Sequence, residues 1–133
     1  MWPPSCSARD NPGVPGKILI VEDDVDIARL LGLKLKQDGH EVAFAGDAVT
    51  ALTVTRKEDP DLFVIDLGLP GGGGLLIMER LQAMAHHAMK PVIVISAREP
   101  VESEQQARAA GAVAFFSKPI DLDGFAETVR ANV

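Results

Sequence analysis

Ile18-Leu19-Ile20-Val21-Glu22-Asp23-Asp24 is the stretch that decides the fold, because four apolar residues in a row end there in three acidic ones. A continuous, largely β-branched run is typical of a strand buried on both faces of a parallel sheet. Such a strand delivers the charged groups that follow it to the rim of the sheet. The stretches Asp61-Leu-Phe-Val-Ile-Asp66 and Phe115-Phe-Ser-Lys118-Pro119 repeat the pattern. Three carboxylates and one lysine at one rim would form a site for a divalent cation and a phosphate.

Apolar runs alternate with helix-period segments from Lys17 onward. Strands are predicted over residues 17–21, 41–45, 62–65, 91–95 and 112–116. Helices are predicted after each: one capped by Asp24 and ended by Gly39, one capped by Asp47, one through residues 76–84, one over 101–110 and a last one capped by Asp121. The expected inward faces are Ile27, Leu30, Leu31 and Leu35; Ala48, Ala51, Leu52 and Thr55; Leu76, Ile77, Arg80, Leu81 and Met84; and Leu122, Phe125, Ala126 and Val129.

Five strands alternating with five helices predict an α/β fold, a single doubly wound parallel sheet with helices on both faces. The first and third strands are the most apolar and are expected at the centre, whereas the less apolar second strand suits an edge. These expectations give the strand order 2-1-3-4-5. Ligands of such sheets lie beyond the carboxyl ends of the strands, where the strand order reverses. Glu22, Asp23 and Asp66 all fall at that point.

Two polar segments are expected to lie in solvent. The four glycines of Gly71-Gly72-Gly73-Gly74 predict a flexible loop, because no Gly-Lys-Ser/Thr follows as in a phosphate-binding loop. His86 and His87 are expected to be solvated residues at a helix end rather than metal ligands.

Length and composition bound the function. A chain of 133 residues suits one domain, with a predicted disordered extension over residues 1–16 that holds four prolines, and a folded part over 17–133. A formal charge of -6 argues against a nucleic-acid surface. No apolar stretch reaches the length of a membrane span, and no secretory signal is visible. The single cysteine, Cys6, suits a reducing cytoplasm.

The predicted site has a definite chemistry. Three neighbouring carboxylates favour a hard cation such as Mg²⁺, which binds oxygen ligands, and the backbone carbonyl of Gly68 could complete the set. A carboxylate beside such a metal can attack a phosphoryl group and form an aspartyl phosphate. Lys118 would neutralise the transferring oxygens, and Ser96 would donate a hydrogen bond to them. Each residue alone has an ordinary explanation as a cap, a turn or a solvated group; their joint occurrence at four strand ends favours a site.

These residues, in this order, resemble the receiver domain of two-component response regulators. The resemblance covers nearly all of residues 17–133 and includes the acidic pair, the strand ending at Asp66, the stretch Pro91-Val-Ile-Val-Ile-Ser96-Ala97-Arg98 and the Lys118-Pro119 turn. The spacings of 43 residues from Asp23 to Asp66, 30 from there to Ser96 and 22 from there to Lys118 are those of the family.

The resemblance implies a flavodoxin-like (βα)5 fold and a set of roles. Asp66 would accept a phosphoryl group from a histidine kinase or a histidine phosphotransfer protein. Mg²⁺ would be bound by Glu22, Asp23, Asp66 and the carbonyl of Gly68, and the phosphoryl oxygens by Ser96, the backbone of Ala97 and Lys118. Ser96 and Phe115 would form a switch, and the Lys118–Pro119 peptide bond would be cis. The fourth helix with the fifth strand and helix would contact an output protein or domain, and a phosphorylation-dependent dimer stays open.

Two other functions remain open on the sequence. An aspartate-nucleophile phosphatase would need a second aspartate two residues after Asp66, where this chain has Gly68. A flavin-binding module could share the topology, but no hydroxyl-rich phosphate loop follows the first strand. The sequence also suits either a stand-alone receiver or a receiver that belongs to a larger regulator or hybrid kinase. A signalling protein without independent substrate turnover is the expectation.

Overall fold

A computed structural model describes residues 15–133, and its sheet has five parallel strands in the order β2-β1-β3-β4-β5. The strands are β1 (Lys17–Val21), β2 (Glu41–Ala45), β3 (Leu62–Asp66), β4 (Val92–Ser96) and β5 (Ala114–Ser117). The helices are α1 (Val25–Gln37), α2 (Ala48–Glu58), α3 (Gly73–Gln82), α4 (Pro100–Ala109) and α5 (Leu122–Asn132), with a short 3-10 turn over Pro70–Gly72. The predicted α/β class and strand order are confirmed.

Burial follows from position in the sheet. All five residues of β3 and of β4 are buried, whereas β2 lies at the edge and exposes part of its side chains. Alternate residues of the central strands face two apolar layers. One layer joins the sheet to α2, α3 and α4, and the other joins it to α1 and α5. The two layers hold the carboxyl ends of β1 and β3 side by side, which positions the site.

Two predicted helix faces are partly wrong. Leu30 of α1 is 51% exposed, and the inward stripe is formed by Ala28, Leu31, Gly32 and Leu35, at the spacing i, i+3, i+4, i+7. In α3, Leu76 and Arg80 face outward, and the buried residues are Gly73, Gly74, Ile77, Met78 and Leu81. Leu31, Leu35, Ile77 and Leu81 are buried as predicted, but the sequence pattern overlooked the small residues of both stripes, which let the helices approach the sheet.

The prediction of a flexible loop over Gly71–Gly74 is wrong for its second half. Gly73 and Gly74 are buried and form the first turn of α3. A Cβ atom on Gly74 would lie 2.5 Å from the carbonyl oxygen of Asp66, so only glycine allows this helix to start against the end of β3. Gly71 and Gly72 have positive φ angles of 68° and 72°, which glycine adopts without strain.

The helix starts differ in their caps. Asp24 accepts hydrogen bonds from the backbone N–H groups of Asp26 and Ile27, and Asp47 caps α2 in the same manner, as predicted. Asp121 occupies the N-cap position of α5, but its side chain accepts no capping hydrogen bond from the described residues. The predicted position of Asp121 at the start of α5 is therefore confirmed, and the first hydrogen bond of the helix runs from the N–H of Phe125 to the Asp121 carbonyl at 2.9 Å.

The prediction that both histidines are solvated is wrong for one of them. His86 is exposed, whereas His87 is 6% exposed and packs edge-on against Phe63. The chain between α3 and β4 forms a series of turns, and His87 and Lys90 are both buried within this segment. Sequence hydropathy could not reveal that burial, because both residue types are usually exposed.

The predicted disordered extension over residues 1–16 lies outside the described residues except for its last two. Gly16 is buried: its N–H donates to Nδ1 of His40 at 3.0 Å, and its carbonyl accepts from the N–H of Glu41. Within residues 15–133, no helix combines the length and apolar character needed to cross a membrane.

Candidate functional site

Three carboxylates meet at the carboxyl end of the sheet. Glu22 and Asp23 directly follow β1, and Asp66 is the last residue of its neighbour β3. One oxygen from each of the three lies within 4.8 Å of the others. The strand order reverses between β1 and β3, and the three carboxylates lie together at this reversal, where the sequence predicts them.

Asp66 is 3% exposed, and its two carboxylate oxygens are held by a backbone N–H and by an ammonium group. Its Oδ1 accepts the N–H of Gly68 at 2.8 Å, and its Oδ2 lies 3.2 Å from Nζ of Lys118. Burial alone raises the pKa of Asp66, but the neighbouring Glu22 carboxyl, the Gly68 N–H and Lys118 together lower it below its ordinary value. Asp66 is therefore ionised and oriented toward the rim.

Glu22 is the most constrained of the three carboxylates. Its Oε1 accepts from Nζ of Lys118 at 2.5 Å, while its Oε2 is buried with no hydrogen-bond partner among the described residues. Burial, and then the adjacent Asp66 carboxylate, raise the pKa of Glu22 to about 8. Asp23, by contrast, is exposed at the mouth of the site.

The carboxylate cluster fits a hard divalent cation. A buried oxygen without a donor, as Oε2 of Glu22 is, costs free energy that a bound cation would remove. Three carboxylates within 4.8 Å match the oxygen ligands that Mg²⁺ binds, usually with several waters. Gly68 lines the same cleft, and the group it directs at Asp66 is its N–H.

Lys118 reaches the site from the turn after β5. Its backbone N–H donates to the carbonyl of Ser96 at 2.8 Å, which joins the ends of β4 and β5, and the Lys118–Pro119 peptide bond is cis. Burial lowers the pKa of Lys118, but its contacts with Glu22 and Asp66 outweigh this and raise it above the ordinary value. The ammonium is consequently charged and shared between two carboxylates.

The hydroxyl of Ser96 does not join the cluster in this conformation. Ser96 is fully buried, and its Oγ accepts the N–H of Arg98 at 3.0 Å and lies 3.4 Å from Oγ of Ser103 on α4. Phe115 is half-buried and packs against the apolar layer shared with α2, α3 and α4. The Ser96 hydroxyl is thus engaged by Arg98 and Ser103, and Phe115 contributes to the apolar core.

An open cleft of about 580 Å³ lies over Asp66. Its lining residues are Asp23, Asp24, Ile27, Asp66, Gly68, Ala97, Arg98 and Lys118. The cleft is large enough for a phosphoryl group, water and the imidazole of an incoming side chain. Arg98 as a second cation at the rim and Ser103 as the partner of Ser96 were missed in the sequence; nothing in their spacing marks them.

Comparisons with known proteins agree with this geometry. The family model described as the response regulator receiver domain matches residues 18–130. The chain is 32% identical over 114 residues to sporulation initiation phosphotransferase F of Bacillus subtilis, across 86% of this chain and 90% of that protein. It is 36% identical over 114 residues to the transcriptional regulatory protein KdpE of Staphylococcus aureus, across 86% of this chain but only 48% of KdpE.

Solved structures show the same fold. A putative response regulator from Chloroflexus aurantiacus superposes with a TM-score of 0.82 at 28% identity, over 87% of this chain and 95% of that one. The chemotaxis response regulator CheY4 of Vibrio cholerae superposes with a TM-score of 0.81 at 23% identity, over 90% of this chain and 99% of that one, and shows the fold alone. The chain belongs to the response regulator receiver domain family of two-component signalling.

Proposed function

We propose that this protein is a Mg²⁺-dependent phosphoryl acceptor that takes its phosphoryl group on Asp66 from a phosphohistidine of a kinase or a phosphotransfer protein. The observation that supports this most is the position of the Asp66 carboxylate. It lies between the Gly68 N–H and the Lys118 ammonium, beside two further carboxylates and under an open cleft.

The chemistry needs few groups. An oxygen of Asp66 attacks phosphorus, a P–O bond forms and the P–N bond to the donor imidazole breaks, with its electron pair leaving on the nitrogen. Lys118 neutralises charge on the phosphoryl oxygens, since its ammonium already lies 3.2 Å from the acceptor carboxylate. Mg²⁺ bound by Glu22, Asp23, Asp66 and the Gly68 carbonyl would neutralise the remaining charge.

The charge balance of the site supports the metal dependence. Even when Glu22 carries its proton, the carboxylates of Asp23 and Asp66 face one ammonium, so the cluster keeps an excess of negative charge that repels an anionic phosphodonor. A dication removes that excess, and no other lysine or arginine approaches these carboxylates as an ion pair in the described part of the chain. Phosphorylation is therefore expected to require the metal.

The direct test is phosphorylation of Asp66→Asn by acetyl phosphate with Mg²⁺. The wild-type chain is expected to gain one acid-stable, base-labile phosphoryl group by mass spectrometry, and the variant none. Asp61→Asn is the matched control, because Asp61 lies at the opposite end of β3 and, among residues 15–133, its carboxylate accepts a hydrogen bond only from the backbone N–H of Lys17. Unchanged phosphorylation of Asp66→Asn, or full phosphorylation of the wild type in EDTA, would contradict the assignment.

We include in this proposal a switch built on Ser96 and Phe115. The hydroxyl of Ser96 would leave Arg98 and Ser103 for the phosphoryl oxygens, with the backbone of Ala97 as a second donor, and Phe115 would follow inward. The face formed by α4, β5 and α5 would then present phosphorylation to an output protein or domain. In Lys118→Ala, amide NMR is expected to show bound Mg²⁺ but no phosphorylation-dependent change on this face; full switching in that variant would contradict the role of Lys118.

The protein is proposed to act in the cytoplasm, with a histidine kinase or a histidine phosphotransfer protein and an output component as partners, since the family acts in two-component signalling. Residues 17–133 are taken as the receiver domain and residues 1–16 as a preceding extension. Independent phosphatase turnover is the alternative. Hydrolysis of several phosphomonoesters that depends on Asp66 would support that alternative, and phosphorylation without turnover would support the receiver role.

A further inference from the structure

A second cluster of ionisable groups lies at the opposite end of β3 from Asp66. It contains Asp59, which precedes the strand, and His86, His87 and Lys90, which lie between α3 and β4. The phosphoryl-acceptor chemistry uses none of these residues. The cluster therefore needs its own explanation.

The side chains of the cluster converge on one carboxylate oxygen. Oδ1 of Asp59 lies 2.8 Å from Nε2 of His86 and 4.0 Å from Nδ1 of His87. The three ligand atoms all lie within 4.8 Å of one another. Asp59 has a φ angle of 47°, a left-handed conformation that aspartate tolerates better than most residues.

His87 provides the observation that points to a ligand. Its side chain is 5% exposed, and its buried Nδ1 has no hydrogen-bond partner within residues 15–133. The edge-on contact with Phe63, at 6.1 Å between ring centroids, packs one side of the ring, and the ring of His86 lies 4.8 Å away. A buried imidazole nitrogen beside a second imidazole and a carboxylate thus lacks the partner that buried polar atoms normally have.

We propose that Asp59, His86 and His87 form a binding site for a divalent transition-metal ion of the zinc class. Two imidazole nitrogens with one carboxylate suit Zn²⁺, Ni²⁺ or Cu²⁺, whereas Mg²⁺ and Ca²⁺ select oxygen ligands. Asp59 and His86 are exposed on the solvent side, so water can fill the remaining coordination position.

Lys90 shapes the site from behind. Its side chain is 4% exposed, and its Nζ lies 2.6 Å from Oδ1 of Asp59, so it orients the carboxylate as an outer partner of a metal ligand would. Its positive charge also opposes a cation, which makes this a moderate rather than a very tight site. A bound ion would join the end of α2 to the connection between α3 and β4, and would raise thermal stability by mass action.

The test is calorimetric titration of the full chain with ZnCl2. Saturating Mg²⁺ is added to compete with Zn²⁺ for the acidic cluster of Glu22, Asp23 and Asp66, and a Cys6→Ser background removes the thiol. One ion per chain is expected, with affinity reduced at least tenfold in His86→Ala and in His87→Ala, because loss of outer partners alone costs about 10–100-fold. His40→Gln is the matched control. His40 is also buried, with a ring nitrogen that has no hydrogen-bond partner among the described residues, but it lies outside the cluster. The His40→Gln variant should therefore bind Zn²⁺ with wild-type affinity.

A spectroscopic readout locates the ion independently of stability. Under the same conditions, Zn²⁺ is expected to shift the amide signals of Asp59, His86 and His87 and leave those of Glu22, Asp23 and Asp66 unchanged. His86→Ala keeps this test decisive even if His87→Ala fails to fold, since His86 is 70% exposed. Unreduced affinity in His86→Ala, or shifts confined to the acidic cluster, would overturn the proposal. Its outcome is independent of phosphorylation at Asp66.

Discussion

The two ends of β3 each carry an aspartate paired with a lysine, yet they differ in which partner of the pair is buried. At the carboxyl end, Asp66 is buried, and its lysine is shared with the buried Glu22. At the amino end, Asp59 is 59% exposed, and its lysine is buried. At the carboxyl end, two buried acidic side chains share one lysine. At the amino end, one aspartate and one lysine neutralise each other.

This difference shows that an ion pair takes its role from its surroundings. Buried carboxylates that outnumber their cations destabilise the folded state, and a bound metal ion relieves this destabilisation. An exposed carboxylate beside a buried lysine destabilises the folded state little, because water solvates the carboxylate. If burial controls the role of each pair, the two ends of β3 should respond differently to pH and to substitution.

The largest expected effect is on the pH dependence of stability in metal-free buffer, which should differ between substitutions at the two ends of β3. Because the pKa of Glu22 rises from 4.5 to about 8 on folding, the folded state binds its proton more tightly, and stability is lost as pH rises through this range. Each pH unit contributes about 1.4 kcal/mol. Relative to wild type, Glu22→Gln is therefore expected to gain roughly 4 kcal/mol of unfolding free energy between pH 5 and 8, by urea denaturation.

Asp59→Asn provides the comparison for this measurement. The Lys90 hydrogen bond lowers the pKa of Asp59 below 3.8, so its contribution is present above that pH and is lost only as pH falls through the folded value. The difference in unfolding free energy between Asp59→Asn and wild type should change by less than about 1 kcal/mol from pH 5 to 8, because the Asp59 side chain is 59% exposed to water. A flat difference for Glu22→Gln would show that the acidic cluster is not under electrostatic strain.

The next effect separates the two lysines. Lys118→Met leaves the Asp66 carboxylate buried without its cation, and we expect the free energy of unfolding to fall by about 3 kcal/mol in metal-free buffer. Lys90→Met leaves the exposed Asp59 to water and keeps the apolar packing of the stem, so a loss of about 1 kcal/mol or less is expected. Equal losses by urea denaturation would mean that burial does not distinguish the two pairs.

The smallest effect concerns the backbone that holds Asp66 in place. Gly74→Ala would put a Cβ atom 2.5 Å from the carbonyl oxygen of Asp66 and 2.9 Å from Cα of Leu67, so α3 must shift, at a cost of about 2 kcal/mol. Gly46→Ala, with no atom within 4 Å of the added Cβ, is the control and should change stability by less than about 1 kcal/mol. Thermal unfolding measures both, and an unaffected Gly74→Ala would show that the junction between β3 and α3 is not tightly packed.

The features that the sequence predicts correctly all arise from short, local segments of the chain. The apolar runs of β1 and β3, and the acidic groups that end them, are local features of the sequence, and parallel topology brings the carboxyl ends of neighbouring strands to one rim. Strand order and the meeting of Glu22, Asp23, Asp66 and Lys118 could therefore be predicted. The Asp24 and Asp47 caps are equally local and were predicted for the same reason.

The features that the sequence does not predict depend on contacts between segments far apart in the chain. Four glycines indicate flexibility by composition, but Gly73 and Gly74 are required where α3 packs on the end of β3. His87 and Lys90 are polar by type, yet the turns before β4 bury them beside Asp59. Neither spacing nor periodicity encodes such a meeting of segments.

The sequence by itself determined the five-stranded parallel sheet and the groups delivered to its carboxyl edge, because hydrophobic period and strand-end chemistry are properties of short segments. Only the tertiary structure decided how much each group is buried and which partner it meets. That is why the tertiary structure alone shows Oε2 of Glu22 without a donor, the Ser96 hydroxyl turned toward Ser103, and a histidine pair with Asp59 at the other end of β3. Burial and partner choice arise from packing between residues far apart in the chain, and they control the charge state on which the chemistry depends.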